Sequence, residues 1–516
     1  MQLTERRVLV SPGRYKAVTV PPCSKLGEAT GETVGCPSCR GSVQLKTFAC
    51  SARGVCTLEK EAPGVACCNA PGGCLDRDPP LPRPHPAALQ VTTRSAGIGD
   101  HLLALTTAEG LRREYGCQVA VCSKEHPEWV RMFWPWVVTA PLKLPTVHWN
   151  HEQNKKFNEA GTSRWRYLAA EVGVTPRLPD PLPLPGDALD WALPHCGHVV
   201  LAPFAAYPER TWPLWHWLAL EAELNARGFP VVILDTDAAR VAPFKGAKLV
   251  NGKPARVAAV VSRAACLVGN DSGMAHLAGF LRTPAVGICH QASDRGILDL
   301  YPTVRSLHAD RLTPADVAGA VVAQVRASLA PGFPADAFLG ILADGDRSRA
   351  ESWLPIYSAL WRTVKEIGPR TIVEIGTRAG YSAWTMLDAC PDAGVTGFDV
   401  EELADPAPYG GGFNGANAHA RRIMAGRAFE VIPADSTKLD RLPACDLAYV
   451  DGDHCEPVAY SDLCLAERSG AKVILADDFA SHEGVRLAVA RFMRENPHRR
   501  GRFVPSLTGL FLIGDR

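Results

Sequence analysis

The sequence predicts an α/β protein of several domains with parallel sheets. Its 516 residues exceed what one hydrophobic core holds, because a domain usually contains about 100–200 residues. Apolar residues form 47% of the chain and charged residues 21%, which are ordinary values for a globular protein. Short apolar runs alternate with helical patterns over residues 88–330 and again over residues 336–516, and this alternation is typical of parallel strands joined by helices.

Proline-rich stretches mark the expected domain boundaries. Prolines cluster within residues 79–86, 176–185 and 331–334, where they favour stiff, extended linkers. These boundaries predict four domains: a small cysteine-rich module (1–78), two α/β domains (88–185 and 190–330) and a C-terminal α/β domain (336–516).

The elements of the α/β domains follow from the alternating pattern. The first of these domains is predicted to hold strands at 89–93 and 118–122 around a helix at 102–114. The second is predicted to hold strands at 198–203, 231–235 and 285–289, with helices at 214–227 and 255–265. The C-terminal domain is predicted to hold a helix at 382–389 and strands at 371–375, 395–399, 429–433, 447–451 and 472–477.

The charge balance argues against nucleic acid as the main ligand, and the hydropathy pattern predicts no membrane span, although peripheral contact with a membrane stays open. Lys+Arg 55 against Asp+Glu 54 leaves a net charge of +1, so no overall field attracts a nucleic-acid backbone. No run of about 18 uncharged apolar residues predicts a membrane span. Because Glu5, Arg6 and Arg7 stand where a signal peptide needs an apolar core, we expect a cytoplasmic protein.

Cysteines are concentrated at the start of the chain, where eight of the 17 precede residue 78. Cys36 and Cys39 have the spacing at which two thiolates share one tetrahedral Zn²⁺, and Cys50 and Cys67 offer further ligands. In a reducing compartment such a cluster favours a metal site over disulfides. A structural zinc ribbon is the first hypothesis, and an iron–sulfur cluster or free and redox-active thiols are the alternatives.

Asp100 follows a glycine-containing turn after the first predicted α/β strand. The segment Ser95-Ala-Gly-Ile-Gly-Asp100 allows a sharp backbone turn and delivers an acidic side chain to the entrance of the next helix. That position lies above the carboxyl end of a parallel sheet, where α/β proteins bind ligands. Asp100 is therefore a candidate functional carboxylate, and a plain helix N-cap is the alternative.

A second group of candidate residues lies in the domain 190–330. The segment Asn-Asp271-Ser272-Gly273-Met-Ala-His276 combines a hydroxyl, a flexible glycine and free amides at a helix start, an arrangement that holds a diphosphate. His276 falls about one helical turn further on and faces the same ligand if it shares that side. Upstream, Arg210 lies just ahead of a Trp-Pro helix start.

Together these segments resemble the heptosyltransferase-type glycosyltransferases of family 9, which have the GT-B fold, over roughly residues 88–330. The resemblance implies two Rossmann-like domains and inverting transfer from a nucleotide-diphosphate sugar to a carbohydrate acceptor. A GT-B shell without activity is the alternative. The roles it implies are general base for Asp100, diphosphate binding for Arg210 and the amides around Ser272 and Gly273, and donor-pocket lining for Asp271 and His276.

The C-terminal domain opens with an acidic residue ahead of two spaced glycines. Glu374-Ile-Gly376-Thr-Arg-Ala-Gly380-Tyr-Ser382 differs from the glycine pattern that cradles a dinucleotide pyrophosphate. S-adenosylmethionine has no phosphate and brings a sulfonium cation and an amino group, for which an acidic residue is useful. The further cofactor residues predicted are Asp399 for the ribose hydroxyls and Asp435 and Ser436 for the adenine side.

Three carboxylates follow neighbouring predicted strands of the same domain. Asp451, Asp477 and Asp478 form a hard-oxygen set suited to Mg²⁺, which lowers the pKa of a bound acceptor hydroxyl. The alternative is that Asp477 and Asp478 form a solvated strand end.

Residues 336–516 resemble the class I S-adenosylmethionine-dependent methyltransferases, and among them the macrocin-type sugar O-methyltransferases. The resemblance implies a third Rossmann-like domain and O-methylation of a hydroxyl, with a sugar as the expected acceptor. It implies Asp453 as general base, with His454 or His482 as substitutes. It also implies cofactor binding by Glu374, Gly376, Gly380 and Asp399 and metal binding by Asp451, Asp477 and Asp478.

The leading hypothesis is a bifunctional enzyme that attaches a sugar and methylates a hydroxyl of the same glycan or glycoconjugate. In a second hypothesis only one half is active and the rest is a binding scaffold. A nucleic-acid methyltransferase guided by a zinc ribbon is disfavoured, since the net charge is +1 and no Asn/Asp-Pro-Pro-Tyr base-flipping motif is present.

Overall fold

The computed structural model describes residues 88–93, 97–149, 169, 172–250, 252–290, 298, 300–400 and 415–515, together with the backbone of five strands before residue 50. The described chain divides into two compact units, Met1–Pro183 with Gln291–Tyr301, and Leu184–His290 with Pro302–Arg516. The predicted zinc ligands Cys36, Cys39, Cys50 and Cys67 lie outside the described residues, so the zinc ribbon stays a prediction.

The first unit begins with antiparallel strands. In them β2 pairs with β1 and with β5, and β3 pairs with β4. Their bounds are β1 (Thr4–Ser11), β2 (Arg14–Val20), β3 (Thr33–Gly35), β4 (Ser42–Gln44) and β5 (Lys46–Ala49).

A parallel sheet follows in the same unit, with the strand order β8-β7-β6-β9. Its strands are β6 (Ala88–Thr93), β7 (Gln118–Cys122), β8 (Val137–Val138) and β9 (Thr146–Trp149). The helices are α1 (Ile98–Tyr115) and α2 (Pro127–Arg131). Leu102, Leu105 and Thr106 of α1 are fully buried, and the helix ends at Gly116, whose φ of 65° suits a glycine C-cap.

The second unit begins with what we call the six-stranded domain, residues 184–290 and 302–330. All its strands are parallel, in the order β12-β11-β10-β13-β14-β15, and every residue of β10, β13 and β14 is buried, as helices cover both faces. The strands are β10 (Val199–Ala202), β11 (Val231–Asp235), β12 (Ala247–Val250), β13 (Cys266–Asn270), β14 (Ala285–Cys289) and β15 (Val304–His308). The helices are α3 (Gly186–Trp191), α4 (Leu214–Ala226), α5 (Ala238–Val241), α6 (Pro254–Ser262), α7 (Gly273–Phe280) and α8 (Pro314–Ala327).

The rest of the second unit is what we call the seven-stranded domain, residues 335–515. Its sheet has the order β18-β17-β16-β19-β20-β22-β21. The strands are β16 (Thr371–Ile375), β17 (Gly394–Asp399), β18 (Phe429–Pro433), β19 (Leu447–Val450), β20 (Val473–Ala476), β21 (Arg499–Val504) and β22 (Leu510–Asp515). The helices are α9 (Ala335–Ile341), α10 (Ala350–Ile367), α11 (Tyr381–Ala389), α12 (Ala416–Ile423), α13 (Glu456–Arg468) and α14 (Glu483–Glu495).

The predicted α/β class with parallel sheets is confirmed, with one addition. The strands predicted in the seven-stranded domain are the five parallel ones, but β22 pairs antiparallel with both β20 and β21 and completes the sheet. The outer strand β21 begins with Arg499-Arg500-Gly501-Arg502 instead of forming an apolar run, so the pattern did not predict it. Among the described residues, no helix is both long enough and apolar enough to span a bilayer.

Candidate active sites

Asp100 lies in the first turn of α1, beyond the carboxyl end of β6. The N-cap residue of that helix is Gly97, so Asp100 is not the N-cap. The Asp100 side chain is half-buried, whereas the next residue, His101, is fully buried and bonds through Nδ1 to the Ser123 hydroxyl at 2.8 Å. The helix start is therefore fixed by buried neighbours of Asp100 and does not depend on its carboxylate.

In the six-stranded domain, Asp271 lies between two basic side chains. It directly follows β13 and is 6% exposed. Its Oδ2 lies 3.6 Å from Arg210 Nη1, and its Oδ1 lies 3.9 Å from His276 Nε2. Asp271 and His276 belong to one segment and Arg210 to another, and the fold brings them together into one polar cluster.

Ser272 is the N-cap residue of α7, and Gly273 is the first residue of that helix. The Ser272 hydroxyl oxygen is buried and makes no hydrogen bond with the described part of the chain. A buried polar group without a partner is costly, so this hydroxyl is suited to bond an oxygen of a bound ligand. Together with the helix N-terminal amides and Arg210, it makes this edge a candidate anion site.

Asn270 is a supporting residue that the sequence did not single out. It is fully buried at the end of β13. Its Oδ1 accepts a hydrogen bond from the Trp212 backbone N–H at 3.0 Å, and its Nδ2 donates to the Pro203 carbonyl at 2.7 Å. Asn270 thus ties both ends of the segment that carries Arg210. The sequence feature that could have identified Asn270 is an asparagine at the end of an apolar run, directly before Asp271.

Asn270→Ala is expected to lower the free energy of unfolding by about 1–3 kcal/mol, because it leaves two buried backbone groups unpaired. The Arg210 segment also loses its tie to β13, so affinity for an anionic ligand falls. Urea titration of this variant beside Asn225→Ala, whose side chain is exposed on α4, measures the difference. Equal stability of the two variants would contradict the supporting role of Asn270.

Glu374 is the centre of the second candidate site. It lies in β16, is fully buried, and accepts a hydrogen bond from the Ser382 hydroxyl in the first turn of α11. Burial raises the pKa of Glu374 to about 8. A carboxyl group with this pKa gains free energy when a cation binds beside it, since the cation stabilises its charged form.

Two glycines shape the loop after β16. Gly376 has a φ of 87°, and a Cβ there would overlap the carbonyl group of Asp451. Gly380 has a φ of 77°, and a Cβ there would lie 2.7 Å from Ala420 Cβ. Only glycine satisfies both the backbone conformation and the close packing, so the loop comes close to the residues after β19.

The other predicted cofactor residues follow the neighbouring strands. Asp399 ends β17, and its Oδ2 accepts a hydrogen bond from the Arg378 backbone N–H at 2.7 Å, so it is tied to the loop between the two glycines. Asp435 follows β18 and accepts hydrogen bonds from Thr437, which together with Lys438 lower its pKa. Ser436 begins the short 3₁₀ helix Ser436–Lys438 beside it.

Asp462 is a buried acid that the sequence did not single out. It lies on α13 at 0% exposure, and burial raises its pKa to about 6. Its helical neighbours Ala459, Leu463 and Ala466 form the buried stripe of α13, so an acidic residue at helical spacing among them was the available signal. A Cβ at Gly452 would lie 2.9 Å from Asp462 Oδ2, which places the carboxyl group under the loop after β19.

The three predicted metal carboxylates have different surroundings. Asp477 receives hydrogen bonds from Tyr449, from Thr508 Oγ1 at 2.7 Å and from the Asp478 amide at 2.7 Å. Asp478 Oδ2 lies 2.7 Å from His454 Nε2, and Asp451 Oδ1 lies 3.8 Å from the same nitrogen. Asp477 is therefore engaged by the protein, while Asp451 and Asp478 both face His454.

The histidines of this site lie together. The rings of His454 and His482 are stacked with centroids 4.2 Å apart. The neighbouring carboxylates of Asp451 and Asp478 raise the pKa of His454 to about 10. Asp453, the predicted base, instead accepts a hydrogen bond from the Cys455 backbone N–H at 2.8 Å and closes the turn before α13.

A divalent cation fits this donor set. Ligand atoms of His454, Asp478 and His482 lie within 4.8 Å of one another, and Asp451 faces the same imidazole. Imidazole nitrogen suits transition metals better than Mg²⁺, which prefers oxygen ligands, so the gathered set favours a transition metal. The predicted Mg²⁺ site of Asp451, Asp477 and Asp478 stays a prediction.

Two family descriptions match separate regions of the chain. Residues 140–297 match "Glycosyltransferase family 9 (heptosyltransferase)". Residues 373–479 match "Methyltransferase domain". The second match contains Glu374, Asp399, Asp451 and Asp477, and the first contains Arg210 and Asp271.

Solved structures similar to each region are distant. A family 9 glycosyl transferase from Veillonella parvula is 14% identical and covers 47% of this chain and 98% of its own, with a TM-score of 0.39. The ADP-heptose LPS heptosyltransferase II of E. coli is 14% identical and covers 46% and 99%, with a TM-score of 0.33. The Podospora anserina methyltransferase PaMTH1, solved with bound SAH, is 17% identical and covers 39% and 95%, with a TM-score of 0.29.

A comparison with curated proteins found no match. The two family matches do not overlap and fall on separate α/β sheets of the chain. The chain therefore joins a region of the family 9 glycosyltransferase type to a methyltransferase domain.

Proposed function

We propose that the chain is a bifunctional transferase with one sugar-transfer site and one methyl-transfer site. The observation that carries the proposal is that two polar clusters lie at the carboxyl ends of parallel strands in two different sheets. Arg210, Asp271 and His276 form the first cluster, and Asp451, His454 and Asp478 belong to the second. Ligands of open α/β sheets bind at such edges.

In the sugar-transfer reaction, a nucleotide-diphosphate sugar donates its sugar to a hydroxyl of a carbohydrate acceptor. Arg210, the Ser272 hydroxyl and the amide of Gly273 hold the leaving diphosphate and stabilise its developing charge. Asp271 keeps Arg210 and His276 oriented towards the donor. Asp100 is the general base that takes the proton of the attacking hydroxyl. The hydroxyl oxygen bonds to the anomeric carbon on the face opposite the diphosphate while the bond to the diphosphate breaks, so the transfer is inverting.

In the methyl-transfer reaction, S-adenosylmethionine donates its methyl group to an acceptor hydroxyl. Glu374 faces the cationic amino acid part of the cofactor, with Ser382 orienting the carboxylate and Gly376 and Gly380 leaving room for close approach. Asp399 holds the ribose hydroxyls. The adenine side is formed by Asp435 and Ser436.

The acceptor hydroxyl of the methyl-transfer reaction lies beside His454. Asp451 and Asp478 orient this imidazole, which removes the hydroxyl proton when it is neutral. Asp451, Asp478 and His482 would hold a divalent cation beside this imidazole, and its positive charge would lower the pKa of the hydroxyl and favour the neutral form of His454.

The alternative is that one half is active and the other is a binding scaffold. The Ser272 hydroxyl is buried and has no hydrogen-bond partner among the residues that the structure describes. It favours an active sugar-transfer half, because leaving a buried hydroxyl unpaired is costly unless a ligand binds it. Metal-binding atoms of His454, Asp478 and His482 lie close together, as a site that binds a ligand requires. This arrangement favours an active methyl-transfer half.

Incubation of the full chain with isotopically labelled S-adenosylmethionine and its own glycosylated product tests the proposal. We expect label in the glycan and nucleotide diphosphate released during the first step. Label that enters unrelated catechols equally and never the glycan would contradict a shared substrate. Native mass spectrometry of the same protein counts bound metal ions and any copurified nucleotide or cofactor.

A further inference from the structure

The six-stranded and seven-stranded domains share a small apolar contact. Leu193 and Cys196 of the six-stranded domain pack with Ala480 of the seven-stranded domain, and all three are buried. The half-buried rings of Phe479 and Phe503 complete this cluster. Phe479 and Ala480 directly follow Asp477 and Asp478, so the contact lies beside the proposed methyl-transfer site.

Gly197 brings the two backbones together at this contact. Its φ is 69°, and a Cβ there would lie 2.6 Å from the Leu507 backbone nitrogen and would overlap Leu507 Cα. The guanidinium of Arg263 lies over the Phe503 ring, 4.7 Å from its centroid, and the Arg263 carbonyl accepts a hydrogen bond from Gly197 at 2.7 Å. The six-stranded domain thus contacts the loop between β21 and β22 directly.

That loop in turn holds the segment after β20. The Phe479 N–H donates to the Gly509 carbonyl at 2.9 Å, and the Ala480 N–H donates to the Thr508 carbonyl at 2.7 Å. The Thr508 hydroxyl donates to Asp477 Oδ1 at 2.7 Å. Gly197 therefore lies against Leu507, and the next residue, Thr508, is bonded to Asp477. This series of direct contacts connects the six-stranded domain to Asp477.

The segment after β20 needs such support. Asp478 has a φ of 56°, a left-handed conformation that is strained for a residue other than glycine. A strained residue keeps its conformation only where the surrounding structure holds it in place. This conformation gives Asp478 its 2.7 Å approach to His454.

A second contact connects the same two domains. Arg227 Nη1 of the six-stranded domain lies 3.6 Å from Glu351 Oε2 at the start of α10. A Cβ at Gly228 would lie 2.8 Å from the Arg349 Cα. Two separate contacts fix the orientation of the six-stranded domain relative to the seven-stranded domain. An atom added at Gly197 therefore displaces Leu507, because the two domains do not rotate to make room for it.

We propose that the six-stranded domain is a positioning element of the methyltransferase: Gly197 and its neighbours hold the loop between β21 and β22, which holds Asp477 and Asp478. The inference rests on the proposed methyl-transfer function. It assigns to the sugar-transfer half a role in methyl transfer that does not involve any sugar ligand. Methyl transfer then depends on a surface at the opposite end of β10 from the Arg210 segment, since Gly197 precedes β10 whereas Arg210 follows it.

Gly197→Ala in the full chain tests the proposal, with Gly368→Ala as its matched control. Gly368 has a similar φ of 62° but has no atom within 4 Å of the added Cβ, so it introduces the same backbone strain without pressure on a neighbour. We expect kcat for methyl transfer to fall about 10- to 100-fold in Gly197→Ala, as catalytic groups are displaced. KM for S-adenosylmethionine is expected to stay within about twofold, because β16 is not part of the contact.

Hydrogen exchange provides a readout independent of activity. The amides of Phe479 and Ala480 are expected to exchange at least about tenfold faster in Gly197→Ala than in Gly368→Ala, as local opening becomes easier. Unchanged exchange at these amides overturns the proposal, and so does faster exchange with an unchanged kcat. If wild-type protein transfers no methyl group to any acceptor, the proposed function fails, while the exchange comparison still decides whether Gly197 supports the segment.

Arg263→Ala is the second variant, for use if Gly197→Ala does not fold. It removes the cation–ring contact with Phe503 and adds no atom. We expect the same direction of change in both readouts, with a fall in kcat of about threefold. Wild-type exchange at Phe479 and Ala480 in this variant overturns the proposal.

Discussion

Asp100→Asn is expected to reduce sugar transfer by about 10²- to 10⁴-fold and to leave methyl transfer within about twofold of the wild-type rate. The amide has the size of the carboxylate but does not accept a proton from the acceptor hydroxyl. The helix start persists, because Gly97 is the N-cap residue of α1 and the adjacent His101 is buried and bonded to Ser123. The loss of a charge from the first turn costs only about 0.3–1 kcal/mol of stability.

The measurement is the release of nucleotide diphosphate and of labelled methyl from the same preparation. Asp187→Asn is the matched control, since Asp187 is an exposed acid in the first turn of α3. We expect this control to retain both activities. Wild-type sugar transfer by Asp100→Asn would show that Asp100 is not the general base, and a parallel loss of both activities would show that the change acts through folding.

Glu374→Gln is expected to make the cofactor-free protein more stable and the methyltransferase inactive. Burial raises the pKa of Glu374 to about 8, above its ordinary value of 4.5. The folded protein therefore binds a proton that the unfolded chain releases, so this group lowers stability as the pH rises from about 4.5 to 8. Glutamine carries no such proton, so the advantage of the variant grows over this range and is constant above it.

We expect a gain of about 1–3 kcal/mol at pH 8.5 and none at pH 4.5, seen as a higher melting temperature. The affinity of the wild type for S-adenosylmethionine is expected to fall as the pH drops below 8, because the cation binds beside the charged form. The affinity of Glu374→Gln is expected to be low and independent of pH. Calorimetric titration measures both.

Glu430→Gln is the control for this second prediction. Glu430 is an exposed residue of β18, so we expect its replacement to leave cofactor affinity unchanged. A melting temperature of Glu374→Gln that follows the wild type at every pH would show that Glu374 is not the titrating group. Full cofactor affinity in Glu374→Gln would remove Glu374 from the proposed cofactor site.

Residues at strand ends were predictable from the sequence. The run 371–375 coincides with β16, and the acids that end the runs 395–399 and 472–477 lie at the carboxyl ends of β17 and β20 in the structure. The reason is physical, since fully buried parallel strands need unbroken apolar runs, and the first polar residue after each run marks the sheet edge.

Residues whose role depends on a distant partner were not predictable in this way. Asp453, predicted as a general base, accepts a local hydrogen bond from the Cys455 backbone N–H, and its catalytic role stays a prediction. Asn270 and Asp462 act through contacts with segments far away in sequence, which no local pattern encodes. The pairing of Asp478 with two histidines likewise depends on a left-handed backbone at Asp478 that a sequence pattern does not specify.

The antiparallel strands that complete the seven-stranded sheet have a consequence for association between copies of the chain. An outer strand exposes unpaired N–H and C=O groups, which invite pairing with a strand of another molecule. The outermost strand here, β21, carries Arg499, Arg500 and Arg502, and the last two are exposed. Two such edges repel each other, so this side of the sheet resists edge-to-edge aggregation.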